Sequence, residues 1–95
     1  MNEITISTSE MEPYLKELES FLLDASMKRC VLIAHAKAIT YLVNVALAFK
    51  DRHSKIVQIE NISIGTIRSI TVNREQTKNV SFMKLVLAKR ETLKE

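Results

Sequence analysis

Few side chains in this 95-residue chain are suited to acid–base, nucleophilic or metal chemistry: His35, His53, Cys30 and 11 carboxylates. The two histidines fall on different elements, with no carboxylate spaced to orient either for proton transfer. Glu10/Glu12 and Glu17/Glu19 are i,i+2 pairs, which diverge on a helix and cannot act as an acid–base couple. There is no CxxC, no His–Cys cluster of zinc spacing, no nucleophile elbow and no Gly-rich phosphate loop. Cys30 lies inside an apolar run and reads as a buried small hydrophobe; as the lone cysteine it forms no internal disulfide. The expectation is a protein without catalytic residues, metal, cofactor or small-molecule substrate.

What remains is charge. The formal net charge is +3, and it is unevenly placed. Residues 1–27 carry Glu3, Glu10, Glu12, Glu17, Glu19 and Asp24 against Lys16 alone. Residues 28–95 carry 13 Lys/Arg against Asp51, Glu60, Glu75, Glu91 and Glu95. A polyanion-binding surface built from the later elements is the chemistry this split implies.

The elements that must position those charges are legible from periodicity. Ile4 and Ile6 alternate with Thr5 and Ser7 as a short strand. Ser9-Glu10-Met11-Glu12 has the form of a capping box, with Pro13 in the first turn. Met11, Tyr14, Leu15, Leu18, Phe21 and Leu22 then recur at helical spacing, and this helix is expected to end near Ala25-Ser26. Cys30-Val31-Leu32-Ile33-Ala34 is a continuous apolar run, the signature of an interior strand buried on both faces.

A second helix is predicted from about Ala38 to Arg52, with Ile39, Leu42, Val43, Ala46 and Phe49 as one stripe. Tyr41, Val45, Leu47 and Ala48 leave its opposite face apolar too, which a surface helix of a monomer does not need. Val57, Ile59, Ile62 and Ile64 form a strand whose phase slip between 59 and 62 predicts a bulge. Gly65, the only glycine, could mark a bend. Ile67, Ile70 and Val72 imply further slips before a turn at Asn73-Arg74-Glu75-Gln76, and Val80 to Ala88 returns as the last strand.

The fold class is therefore α/β: a β-α-β-α-β-β two-layer sandwich, with a mixed four-stranded sheet, two helices on one side of it and a long terminal hairpin. One domain spans 1–95, without repeats. The most apolar window, Val31 to Phe49, contains His35, Lys37 and Asn44 and reads as a strand and helix in series, so no membrane partner is expected. The N-terminus shows no basic and apolar leader pattern, which points to a cytoplasmic protein.

With this order in place, the chain resembles the Alba family of small archaeal chromatin and RNA-binding proteins. Ala36-Lys37-Ala38-Ile39-Thr40 stands where the family has Gly-Arg-Ala-Ile-Ser/Thr. Val57-Gln58-Ile59-Glu60-Asn61-Ile62-Ser63-Ile64-Gly65-Thr66 resembles its third strand. Val80-Ser81 and Met83-Lys84-Leu85-Val86-Leu87 resemble its last.

The resemblance implies a chromosome-associated protein that binds DNA and/or RNA with little sequence preference. Lys37 is the first candidate contact, at a helix start where unpaired amides also favour anions. Arg68, Arg74 and Lys78 lie on or near the hairpin that in the family projects as an arm along a DNA groove. Lys28 and Arg29 would extend the positive face, and His35 is placed to stack on a base or touch a phosphate.

The resemblance also implies a dimer, matching the two apolar faces of the second helix and the long last strands. Tyr41, Val45, Phe49, Phe82 and Val86 are the expected contacts, with Val45 or Phe49 near the two-fold axis. His53 falls about where family dimers associate further.

Three places depart from the family pattern. Ser9 and Glu10 stand about where a Lys-Lys pair is usual. Ile33 and His35 replace basic residues, and Ala36 replaces the motif's glycine. A glutamate in that loop repels phosphate. The alternative expectation is an interaction subunit that heterodimerises with a more basic paralogue and itself binds nucleic acid weakly.

Overall fold

The computed structural model describes residues 2–71 and 76–90, with backbone alone for 2, 68–71 and 76–78. Its elements are β1 (Asn2–Ile6), α1 (Glu12–Leu23), β2 (Arg29–His35), α2 (Ala38–Arg52), β3 (Val57–Thr71) and β4 (Gln76–Lys89). The sheet order is β1-β2-β4-β3, with β1 parallel to β2 and the other pairs antiparallel. This is the expected mixed sheet and hairpin.

The apolar run of β2 is interior, between β1 and β4. Cys30, Leu32 and Ala34 join the core beneath the helices, with Ile4, Ile6, Leu85, Leu87 and Val57. Val31 is buried as well, outside that core, on the face of the sheet that no helix covers. Leu15, Leu18 and Phe21 of α1 and Leu42, Val45, Ala46 and Phe49 of α2 close the core from the other side. Burial pushes the Cys30 thiol up to about 11, with Glu17 adding to the effect, so it stays protonated and inert.

Both ends of α1 differ from expectation. The capping box does not form: Met11 holds the cap position with no side-chain bond, while Pro13 sits in the first turn as expected. The backbone amides of Ser7 and Thr8 instead donate to the Tyr14 hydroxyl at 3.0 and 3.2 Å, leaving Ser9 exposed in the loop. At the other end, the Asp24 carboxylate accepts from the Ser26 amide (3.0 Å) and hydroxyl (2.6 Å). This local turn competes with the helix and stops it at Leu23. The Lys89 ammonium then ties the α1 end to β4, donating to the Asp24 carbonyl at 2.7 Å and standing 5.0 Å above the Phe21 ring.

The bulge in β3 falls where the phase slip placed it: pairing with β4 passes from Ile59 directly to Asn61, leaving Glu60 as the extra residue. Beyond it the register runs unbroken to Thr71. The expected further slips are absent; Ile64 and Ile67 simply occupy opposite faces of a regular strand. Because β2 ends opposite Phe82, β3 and β4 continue past it as a two-stranded arm. The terminal turn, Arg74 included, lies outside the described residues.

The stripe of α2 that meets the sheet is Leu42, Val45, Ala46 and Phe49. It is rotated from the expected one, so Val43 is half-buried and the outer face presents Thr40, Asn44, Leu47 and Asp51. Val45 and Phe49 are fully buried in their own subunit and cannot meet a partner at a two-fold axis. Tyr41 is half-buried against the same core. Phe82 and Val86 pair with Gly65 and Asn61 on the helix-free face of the sheet. The five residues expected at the dimer contact therefore do not form one surface. His53 turns inward too: its ring packs 4.8 Å from that of Phe49, and its Nε2 is buried without a hydrogen-bond partner among the described residues.

Candidate nucleic-acid interface

His35 and Lys37 flank Ala36, which has a φ of 54°, the left-handed conformation that favours glycine. The Ala36 amide donates to the Ser81 carbonyl at 2.7 Å, and its carbonyl accepts from the Ile39 amide at 3.1 Å. Those two bonds turn the chain sharply from β2 into α2. They leave Lys37 exposed at the cap position of α2, with helical φ and ψ and no side-chain cap bond.

His35 pairs with Phe82 in the β2–β4 register, their ring centroids 6.3 Å apart. Phe82 in turn lies against Gly65. The glycine has no positive φ; its place in β3 serves a ring and not a bend. His35 and Lys37 thus stand at the foot of the β3–β4 arm. In that arm the backbone of Arg68 pairs with Asn79 and that of Lys78 with Ser69.

Beside them is a depression of about 440 Å³, lined by Thr5, Ser7, His35, Lys37, Ala38 and Tyr41 among others. Its β1-side wall is fixed by Tyr14. Hydrogen bonds from the Ser7 amide, the Thr8 hydroxyl and the Thr8 amide pull the Tyr14 phenol down to about 8. No residue type or spacing signals this contact, and sequence reasoning missed it.

Lys28 and Arg29 are at the other end of β2, roughly 20 Å from His35 at about 3.3 Å per residue. Arg29 forms a two-pronged bond to Glu60, Nε to Oε1 at 2.6 Å and Nη2 to Oε2 at 2.9 Å. That partner, the bulged residue of β3, has its carboxyl held below the usual range by the guanidinium. A larger depression, about 640 Å³, lies here, bordered by Lys28, Arg29, Gln58, Glu60, Lys89 and Arg90. Three of its four cations are engaged: Arg29 by Glu60, Lys89 by the Asp24 carbonyl, and Arg90 by the Ser54 carbonyl at 3.0 Å. The structure thus groups His35 and Lys37 with the arm and leaves Lys28 and Arg29 apart.

Among the described residues, no three His, Cys, Asp or Glu side chains gather as a metal site, and no helix is long and apolar enough to cross a membrane. A two-layer sandwich with a projecting two-stranded arm and a cation at the β2–α2 turn defines a class of small α/β proteins. The family model for Alba matches residues 2–66, and the chain belongs to the Alba family. Its fold is similar to that of Alba from Thermoplasma volcanium, with a TM-score of 0.76 at 20% identity, covering 92% of this chain and 99% of that one. It is also similar to ALBA1 from Trypanosoma brucei, with a TM-score of 0.68 at 19% identity, covering 95% of this chain and 70% of that one. No curated protein matches it.

Proposed function

We propose that this chain binds DNA or RNA as a dimer, through phosphate contacts that carry little sequence information, and that it is a chromosome-associated protein of the cytoplasm. The observation that carries this reading is the exposed Lys37 at the turn into α2, at the foot of the arm that includes Arg68 and Lys78. In a dimer these cations occur twice, as a basic saddle for a sugar–phosphate backbone with no helix laid in a major groove.

The surface for a second copy is the helix side of the sheet next to α2. Ile62 pairs with the core residue Leu85 and Ile64 with Met83, which places both on that side. Ile62 is 51% exposed, Ile64 74%, and Leu47 on the outer face of α2 is 48% exposed. Covering such residues favours association, and a stable interface buries on the order of 1,200–2,000 Å² in total.

Titration of labelled duplex DNA and RNA across salt concentrations tests the reading. If about half of the eight candidate cations per dimer, Lys37, Arg68, Arg74 and Lys78 from each subunit, neutralise phosphates, log K falls by roughly 3–5 per decade of salt. Lys37→Glu is expected to weaken binding to all sequences alike, with a stability change within about 0.5 kcal/mol, as for an exposed surface site.

A second reading has its own support. The loop from Ser7 to Glu10 is exposed and contains no cation. A subunit built this way gains binding charge by pairing with a more basic paralogue. A homodimer that binds no nucleic acid at low salt, and a mixture with such a paralogue that does, would favour it.

A further inference from the structure

We infer that the helix-free face of the sheet is a platform for single-stranded nucleic acid, with bases over Phe82 and Ile67 and a phosphate at Lys84. This rests on the nucleic-acid reading and adds to it a second site, on the face that the dimer contact leaves open. The register fixes its members. Cys30, Leu32, Leu85 and Leu87 enter the core beneath the helices, so the residues between them on β2 and β4 point the other way. On that side Ile33 pairs with Lys84 and His35 with Phe82. In the arm, Ile67 pairs with Val80, two residues from Phe82, and is 44% exposed. Ile33 and Phe82 are half-buried, and Lys84 is exposed. The result is an apolar stripe along β4 with one cation in it.

The Phe82 ring is held ready for stacking. Its register partner Gly65 is the only glycine of the chain and has no positive φ. Lacking a side chain, Gly65 lets the ring lean over β3 into the space a β-carbon would fill, 2.8 Å from Cε2. A ring fixed in this way loses little freedom when a base docks on it. Aromatic rings on the open face of a four-stranded sheet stack unpaired bases. A paired base is sheltered by its neighbours on both sides and would have to leave the duplex to reach the ring.

Charge selects the occupant. Lys84 has no ion-pair partner among the described residues, and its cross-strand neighbours are Ile33 and Ser63. An apolar protein laid on the stripe would bury the ammonium unpaired, at large cost. A single strand covers the apolar residues with bases and meets the ammonium with a phosphate. Toward the far end of the face Arg29 is bound to Glu60, and Glu3 pairs with Val31 at the β1 edge. The platform is thus confined to the half nearer the arm.

Fluorescence anisotropy on the full chain tests this across salt concentrations, with a labelled 12-nucleotide strand and the duplex it forms with its complement, each as DNA and as RNA. Phe82→Leu keeps the apolar bulk and removes the ring. It is expected to lower single-strand affinity about 5- to 150-fold, the range for loss of one stacked base, and to leave duplex affinity unchanged. Lys84→Gln, at an exposed position, gives a second answer if Phe82→Leu fails to fold by circular dichroism. It is expected to weaken single-strand binding and to make its salt slope shallower by about 0.7, the share of one phosphate, with the duplex slope unchanged. Lys37→Glu is the control expected to weaken both forms.

Equal losses for strand and duplex, or a strand unaffected by either folded variant at position 82 or 84, would overturn the platform and leave backbone binding standing. Binding of neither form by the wild-type chain at low salt would instead overturn the nucleic-acid reading beneath it.

Discussion

A β-carbon placed on Gly65 would stand 2.8 Å from Cε2 and 2.9 Å from Cζ of Phe82, because the phenyl ring of β4 lies across the backbone of β3 at their shared register position. The same ring neighbours His35. Gly65→Ala must push it aside and is expected to cost about 1–2 kcal/mol, as overpacking does. With Phe82→Leu in the background the penalty should shrink, since contacting residues are not additive. A double-mutant cycle by urea unfolding checks this; equal costs in both backgrounds would refute the contact.

Ala36 occupies a conformation that costs a residue with a β-carbon roughly 1–2 kcal/mol. Glycine there relieves the strain but adds freedom to the unfolded chain, worth about 0.4–1 kcal/mol. Ala36→Gly is therefore expected to stabilise the protein by about 0.5–1 kcal/mol, seen as a higher urea midpoint with an unchanged m-value.

The Tyr14 phenol is pulled down to about 8 by the loop hydrogen bonds it accepts, from an ordinary value of 10.0. A group depressed on folding contributes stability above its unfolded pKa, and that contribution is lost as pH falls through the folded one. Between pH 10 and 8 the favourable linkage should thus decline. Ultraviolet titration of tyrosinate in the folded protein should show a phase near pH 8, and Tyr14→Phe should remove it.

Ile64 is the most exposed of the three apolar residues on the helix side of the arm and α2. Ile64→Glu is expected to weaken dimerisation strongly while leaving the subunit folded, because no core contact is lost and a charge would be buried at the interface. Sedimentation equilibrium at tens of micromolar decides the point. Val45→Ala, by contrast, should lower subunit stability by about 0.5–3 kcal/mol as a core truncation.

Element order, the interior position of β2 and the bulge near Glu60 were legible from the sequence, because each rests on local periodicity or on a break in it. An apolar run reads as an interior strand wherever it sits, and a slipped alternation reads as an inserted residue. The cation Lys37 at a helix opening was legible for the same reason. Periodicity cannot say which of two apolar helix faces meets the sheet, since both satisfy it. Only packing decided that Val45 and Phe49 turn inward while Leu47 faces out, and only the sheet register set Phe82 and Val86 on the face away from α2. The bonds from Arg29 to Glu60 and from Ser7 to Tyr14 join residues far apart or out of phase in the chain. Such contacts depend on where folded elements arrive, and so the neutralised cation and the fixed wall of the depression belong to the tertiary structure alone.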